Sequence, residues 1–388
     1  MITKIKNGRF LLPQGEVTDV CLYFENDTIT AITKEELPFD VEIDADGQYV
    51  SPGFIDIHSH GGGGFDVMDG GVEPIARAAN LHVQHGTTCY MPTSLACSTG
   101  VLLDFLADLS KVMTEGLAKN RIVGAHLEGP YFSHAQSGAQ NPDYIIPPNP
   151  AEYNEIIKRY GNIIKRWSFA PEHEGSREFC KTLTDNGISP SIAHSDAVYD
   201  DVLVAYEEGC RTVTHLYSGM STITRKGGFR RLGVVESTYL LDDMTAEVIA
   251  DGCHLPPELL QLIVKQLGKE HVCLVTDAMR GAGMPDGPSY LGRKDEAMEC
   301  VIEDGVAKLL DRSGFAGSVA TADRLVRTMV QKVGLTVADA VYMMTVTPAR
   351  VLRMCDIGAL ATGCKADIVF FDDNITVHHV VVNGKTVK

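Results

Sequence analysis

The chain has 388 residues, 44% of them hydrophobic and 22% charged, with a formal net charge of -17. That length buries a large core, enough for one barrel and a small appendage. The acidic balance argues against nucleic acid or an anionic membrane as partner. No apolar run reaches membrane-spanning length, and the first eight residues lack a signal-peptide core. The ten cysteines include no CxxC pair, so reduced thiols in a cytoplasm are expected.

Taken in order, residues 1 to 50 read as short strands, at Phe10 to Leu12, Val20 to Phe24 and Ile29 to Ile32, with a turn at Glu25 to Asp27. Next comes an apolar strand ending in His58-Ser59-His60 and four glycines. Side chains alternate along a strand, so the two histidines project to the same side. Seven further strands follow: Thr87 to Met91, Ile122 to Ala125, Ile163 to Ala170, Ser189 to Ala193, Thr212 to Thr214, Ala246 to Ala250 and Val272 to Val275. Helical periodicity lies between them at Pro74 to His85, Val101 to Met113 and Leu259 to Leu267. The tail returns to strands at Ala366 to Phe371 and Val377 to Val382, with the hairpin signal Asn383-Gly384. Eight β/α alternations without a GxGxxG or GxxxxGK[ST] favour a closed barrel over a nucleotide-binding sheet. The expected fold is therefore α/β: a (β/α)8 TIM-type barrel over 51–356, with a small β-sandwich domain formed by 1–50 and 357–388.

Polar residues fall at the strand ends. They are His58 and His60, His126-Leu127-Glu128, His194-Ser195-Asp196, His215, Asp251-Gly252-Cys253-His254, and Asp277. In a (β/α)8 barrel these ends converge on one mouth. One such histidine is ordinarily structural; six polar ends of metal-ligand type are a poor coincidence. Imidazoles with a carboxylate suit Zn2+ or Fe2+. Bound metal acidifies a water and polarises a carbonyl, and Asp277 is placed to take a proton and return it to a leaving amine. The set is machinery for amide hydrolysis.

The combination of His58-Ser59-His60, His126-Leu127-Glu128-Gly129-Pro130, His215-Leu216-Tyr217, Thr276-Asp277-Ala278-Met279 and Ala316-Gly317-Ser318 resembles the N-acetylglucosamine-6-phosphate deacetylase family of the amidohydrolase superfamily. The resemblance covers essentially the whole chain. It implies hydrolysis of N-acetylglucosamine 6-phosphate to glucosamine 6-phosphate and acetate, in amino-sugar catabolism and recycling. It implies a main metal on Glu128, His194 and His215, and a second on His58 and His60 with Glu128 bridging; some members lack the HxH pair and use one metal. Asp277 takes the place of the catalytic base and acid. Ala139, Gln140, Ser218, Gly219, Asp251, His254, Phe315, Ala316 and Gly317 fall at substrate positions, with backbone N–H groups near Ser218 and Gly219 facing phosphate. A homodimer is implied, with a basic residue crossing into the neighbouring site. The chain departs from the pattern there: Ser218-Gly219 replaces a common Asn-Ala, and Lys226, beside Arg225, stands where the family has a phosphate-binding Arg. The epimeric N-acetylgalactosamine 6-phosphate therefore stays open as substrate.

Two other readings compete. A cyclic-amide hydrolase commonly bridges its metals with a carboxylated lysine, but Glu128 occupies that place. A non-catalytic scaffold would be expected to lose ligands or the acid/base, and all are present. Among the remaining residues, His126 reads as a support for the site, and His82 and His85 as a helix C-terminus. His134 falls in a mouth loop facing either solvent or substrate. Glu172 lies near the pocket or in a structural hydrogen bond. Cys253 lines a pocket, and His378 and His379 belong to the β domain.

Overall fold

A computed structural model describes all 388 residues. Eight parallel strands form the barrel: Phe54–Ser59, Thr87–Pro92, Ala125–Glu128, Ile164–Phe169, Ser189–Ile192, Thr212–Val213, Thr245–Val248 and Val272–Leu274. The first two pair with each other, and the third to eighth form a continuous parallel ladder. Both seams close at the C-terminal mouth. Across one, Ser94 N donates to His126 O at 3.0 Å; across the other, Asp277 N donates to His58 O at 2.9 Å.

The third strand departs from expectation. Arg121–Ile122 pairs with the second strand, and the chain then kinks at Gly124, at φ 140°, before resuming at Ala125. A Cβ at Gly124 would lie 2.5 Å from the carbonyl oxygen of Ile163, so only glycine makes this bend. His126 and Glu128 are consequently inside the resumed strand. The helices run Val72–Gln84, Thr99–Glu115 and Pro257–Leu267, each starting earlier than its apolar periodicity. First turns are polar or proline-bearing because capping residues sit there; Ser98 Oγ, for example, accepts from Val101 N. Helix Thr99–Glu115 buries Leu102, Phe105, Leu106, Leu109 and Val112, one face of a 3.6-residue repeat. Truncating a fully buried one such as Leu106 to Ala would cost about 2–5 kcal/mol.

The two termini build paired sheets. One has Thr28–Thr33, Cys21–Glu25, Ile2–Lys6 and Val41–Asp44; the other has Lys385–Thr386, Val377–Val382, Ile368–Phe371, Tyr49–Pro52, Arg9–Leu12 and Gly15–Val17. Ile5, Leu22 and Ile29 from the first meet Phe10, Val50 and Phe370 from the second in one apolar cluster. The Asn383-Gly384 turn forms as expected, both residues at positive φ, between the paired Val382 and Lys385.

Two elements carry no strong sequence signal. A three-stranded antiparallel insert, Gly287–Leu291, Met298–Glu303 and Val306–Leu309, follows the eighth barrel strand. An exposed hairpin pairs Thr224–Lys226 with Phe229–Arg231.

Candidate active site

The strand ends bring six side chains to one point. Glu128 Oε1 lies 2.9 Å from His215 Nε2 and 3.2 Å from His194 Nε2, while its Oε2 is 3.3 Å from His60 Nε2. Asp277 Oδ1 is 3.1 Å from His60 Nε2 and 3.4 Å from His58 Nε2. Two groups of metal-ligand type result, Glu128/His194/His215 and His58/His60/Asp277, with Glu128 facing both. Three of the six residues leave their strands through left-handed backbone, His194 at φ 44°, His215 at 31° and Asp277 at 46°. That costs conformational energy and turns the side chains inward over the barrel.

The outer ring nitrogens decide what the inner ones present. His60 Nδ1 faces the carbonyl oxygen of Thr93 at 3.1 Å, and His194 Nδ1 that of Gln136 at 2.9 Å, so each donates there. His58 Nδ1 meets the Glu247 carboxylate at 3.0 Å. These bonds leave the Nε2 lone pairs pointing at the centre. His58 Nε2 and His60 Nε2 then stand 3.3 Å apart, an arrangement that needs a positive charge between them.

The electrostatics make the same demand. Burial opposes charge on Asp277, yet His58 and His60 hold its carboxyl down to about 2. Burial likewise opposes charge on His60, yet Asp277 and Glu128 push it up to about 9. Glu128 is held well below the usual range against its own burial, by His58, His194 and His215. The centre attracts either a proton or a cation. Imidazole nitrogens and carboxylate oxygens are the donor set of a divalent transition metal, so the residues fit one.

Glu247 and Arg166 are part of this site and carried no signal in the sequence. Glu247, on the seventh strand, accepts from His58 Nδ1, forms an ion pair with the Arg166 guanidinium, and accepts from His215 N at 3.3 Å. Arg166 is fully buried and also donates to Ser191 Oγ and Thr214 Oγ1. His126 stays outside the metal groups; its Nε2 bonds Ser168 Oγ at 2.7 Å and its ring packs edge-on against His58.

Above the cluster opens a cavity of about 310 Å³. Ala139, Gln140, Ser218, Gly219, His254, Asp277, Phe315 and Gly317 line it. Gln140 also props Glu128, donating from Nε2 to Oε2 at 2.7 Å while its Oε1 accepts from Ala96 N. Gly219, at φ 56°, passes so close that a Cβ would sit 2.8 Å from His194 Nδ1. Its N–H is free for a ligand, whereas the Ser218 N–H is spent on the carbonyl of His215 at 2.9 Å. The antiparallel insert and the loop after it supply Leu291, Leu309, Ser313, Gly314 and Phe315, and Phe315 packs 4.8 Å from the His254 ring.

Four expected substrate residues are placed elsewhere. Asp251 lies beneath the wall, where its carboxylate accepts from Cys253 N, His254 N and His254 Nδ1. It positions His254 and does not touch the cavity. Ala316 turns away into an apolar cluster with Met279 and Cys300. Arg225 and Lys226 stand on the exposed hairpin, and no Lys or Arg lines the cavity within one chain. Of the residues left open, Glu172 is structural, accepting from Ser195 Oγ and Asp196 N, and His134 is exposed on a short 3-10 turn. Cys253 donates to Asp304 O, outside the cavity lining, and His82 holds the glycine loop through Gly61 O at 2.9 Å.

Comparison with known proteins places this geometry. The amidohydrolase family model matches residues 49–387. An N-acetylglucosamine-6-phosphate deacetylase from Lysinibacillus sphaericus is 31% identical over 89% of this chain and 87% of the relative. An N-acetylgalactosamine-6-phosphate deacetylase from Escherichia coli O157:H7 is 30% identical over 98% of both. A Mycobacterium smegmatis N-acetyl-D-glucosamine-6-phosphate deacetylase mutant, solved in complex with N-acetyl-D-glucosamine-6-phosphate, superposes with a TM-score of 0.90 at 29% identity, over 100% of this chain and 99% of that one.

Proposed function

This chain belongs to the amidohydrolase family, and we propose that it hydrolyses the acetamide of N-acetyl-D-glucosamine 6-phosphate to D-glucosamine 6-phosphate and acetate. The observation that carries the reading is Asp277, at the base of the cavity and against the His/Glu cluster. Its Oδ1 is engaged by His58 and His60, while Oδ2 has no partner in the chain. A divalent ion, Zn2+ or Fe2+, on Glu128, His194 and His215, with a second on His58 and His60, would supply the Lewis acidity that activates water and polarises the amide carbonyl. Asp277, a carboxylate at neutral pH, takes the proton of the attacking water. The C–N bond breaks as Asp277 returns that proton to nitrogen, so the sugar leaves as an amine and the acyl group as acetate. Glu247, Thr93 and Gln136 keep the imidazoles oriented throughout.

The apolar wall of Leu95, Ile249, Leu291, Leu309 and Phe315 excludes water and gives the sugar a face to pack on. His254, braced by Asp251, and the free Gly219 N–H serve the phosphate. One chain provides no Lys or Arg there, which supports a homodimer whose hairpin delivers Arg225 or Lys226 to the partner site. Phe229, 80% exposed at the hairpin, fits a contact of that kind. No helix is long and apolar enough to cross a membrane; we place the enzyme in the cytoplasm, in amino-sugar catabolism. The absence of any lysine from the cavity lining argues against a carboxylated-lysine centre.

The E. coli relative motivates the epimer N-acetylgalactosamine 6-phosphate as a second substrate. Acetate release from both 6-phosphates and from unphosphorylated N-acetylglucosamine, with metal content measured, tests the reading. Release from a phosphorylated sugar well above the unphosphorylated one is expected. Equal rates with and without phosphate would refute the phosphate assignment.

A further inference from the structure

We propose that the floor of the barrel, opposite the metal ligands, carries a second anion site, a pocket framed by Arg211, Arg350 and Arg353 that takes a phosphate group. The pocket has a volume of about 280 Å³, and Val351 is its one hydrophobic wall residue. It opens where the fifth to eighth strands begin, beside Thr245 and His271. The same strands carry His194 and His215 just beyond their other ends, so the two sites are separated by the length of the barrel.

Charge makes the pocket unusual. The chain carries 51 acidic and 34 basic residues, and nine of its 17 arginines form an ion pair with a carboxylate. Arg211, Arg350 and Arg353 converge on one cavity with no carboxylate in ion-pair contact, and Asp243 is the one acidic residue lining it. Arg211 is already fixed: its Nη1 donates to the carbonyls of Tyr206 and Cys210, and its guanidinium stacks 3.7 Å from the Tyr206 ring. Its remaining N–H groups are unspent. His271 lines the same wall, with Nδ1 buried and lacking a hydrogen-bond partner. Guanidinium forks match the oxygens of phosphate two at a time, which a cluster of solvated lysines would not do. Arg350 and Arg353 are exposed, so their guanidiniums are open to an incoming anion. Free phosphate and the phosphate of a sugar ester share this chemistry.

The test is calorimetric titration of the full-length holoenzyme with inorganic phosphate, and separately with glucose 6-phosphate, at constant ionic strength in chloride. Wild type is compared with Arg350→Ser/Arg353→Ser and with Arg350→Lys/Arg353→Lys, which keeps charge but loses the fork. Binding at the mouth is common to all three proteins, so the difference reads the floor pocket. The serine pair is expected to raise Kd about tenfold or more, and the lysine pair to raise it less. Deacetylation in chloride should be unchanged, since neither residue faces the upper cavity. Loss of the phosphate response assigns the site to the free anion; loss confined to glucose 6-phosphate assigns it to a sugar phosphate. Identical titrations of all three proteins with both probes would overturn the proposal.

Discussion

Replacing Glu247 by Gln changes few atoms and removes one charge from the interior. Arg166 would keep its bonds to Ser191 and Thr214. Its guanidinium, at 0% exposure, would lose its only ion-pair partner. Breaking a buried pair from one side costs about 3–5 kcal/mol, because the survivor is a desolvated, uncompensated charge. Total stability for a protein is about 5–15 kcal/mol, so this is a large fraction. With unfolding entropy near 2.1 cal/mol/K per residue, 388 residues give about 0.8 kcal/mol/K, and a loss of about 4 kcal/mol lowers the midpoint by about 5 °C. The assay is thermal unfolding of metal-stripped protein, so that altered metal binding does not contribute. Glu208→Gln, which breaks a surface pair with Arg177, is the control and should leave the midpoint where it was. The double variant Arg166→Met/Glu247→Leu removes both charges and should recover most of the loss. If Glu247→Gln melts with the control, or if the double variant melts below the single one, the pair is not the buried ionic brace described above.

Asp277→Asn should lower turnover about 100-fold or more while the protein retains its metal, read as acetate release beside elemental analysis; undiminished release would remove Asp277 from the mechanism. The double variant His58→Ala/His60→Ala should lower metal stoichiometry and keep the ion on Glu128, His194 and His215; loss of all metal would reverse that ranking. His82 provides a pH test. Burial holds it down to about 4, so the folded state favours the neutral ring. Unfolding binds a proton, and the stabilisation is full above about pH 6.5 and lost as pH falls toward 4, about 3 kcal/mol in all. His82→Gln should flatten that part of the stability profile, and an unaltered slope would refute the assignment.

The candidate metal ligands were legible because they stand at the ends of apolar runs. Val-Thr-His215 and Ile-Ala-His194 mark a strand and its end by composition alone, and the barrel rule then sends those ends to one mouth. The same rule accounts for Asp277. Substrate positions were less legible. Asp251 and His254 looked equivalent, and only the turn between them puts the carboxylate under the ring. Ala316 and Gly317 are neighbours, yet Ala316 packs into an apolar cluster while Gly317, at φ 95°, lines the cavity. The insert from Gly287 to Leu309 supplies a whole wall, yet its strands are only four to six residues long and pair antiparallel, outside the β/α alternation that marks the barrel.

What the sequence determined by itself is local: the strand ends, their donor atoms, and the hairpin at Asn383-Gly384. These depend on residue type and on spacings of one or two positions. What tertiary structure decided is everything that requires distant residues to meet. Lys165 and Arg166 are adjacent and chemically alike, but the pleat turns Arg166 alone into the barrel. There it meets Glu247, 81 positions along the chain. No window of sequence contains that pair, and a charged residue inside a strand reads as solvated until the barrel closes around it. Closure converts Glu247 from an exposed side chain into the acceptor that aims His58 at the metal centre.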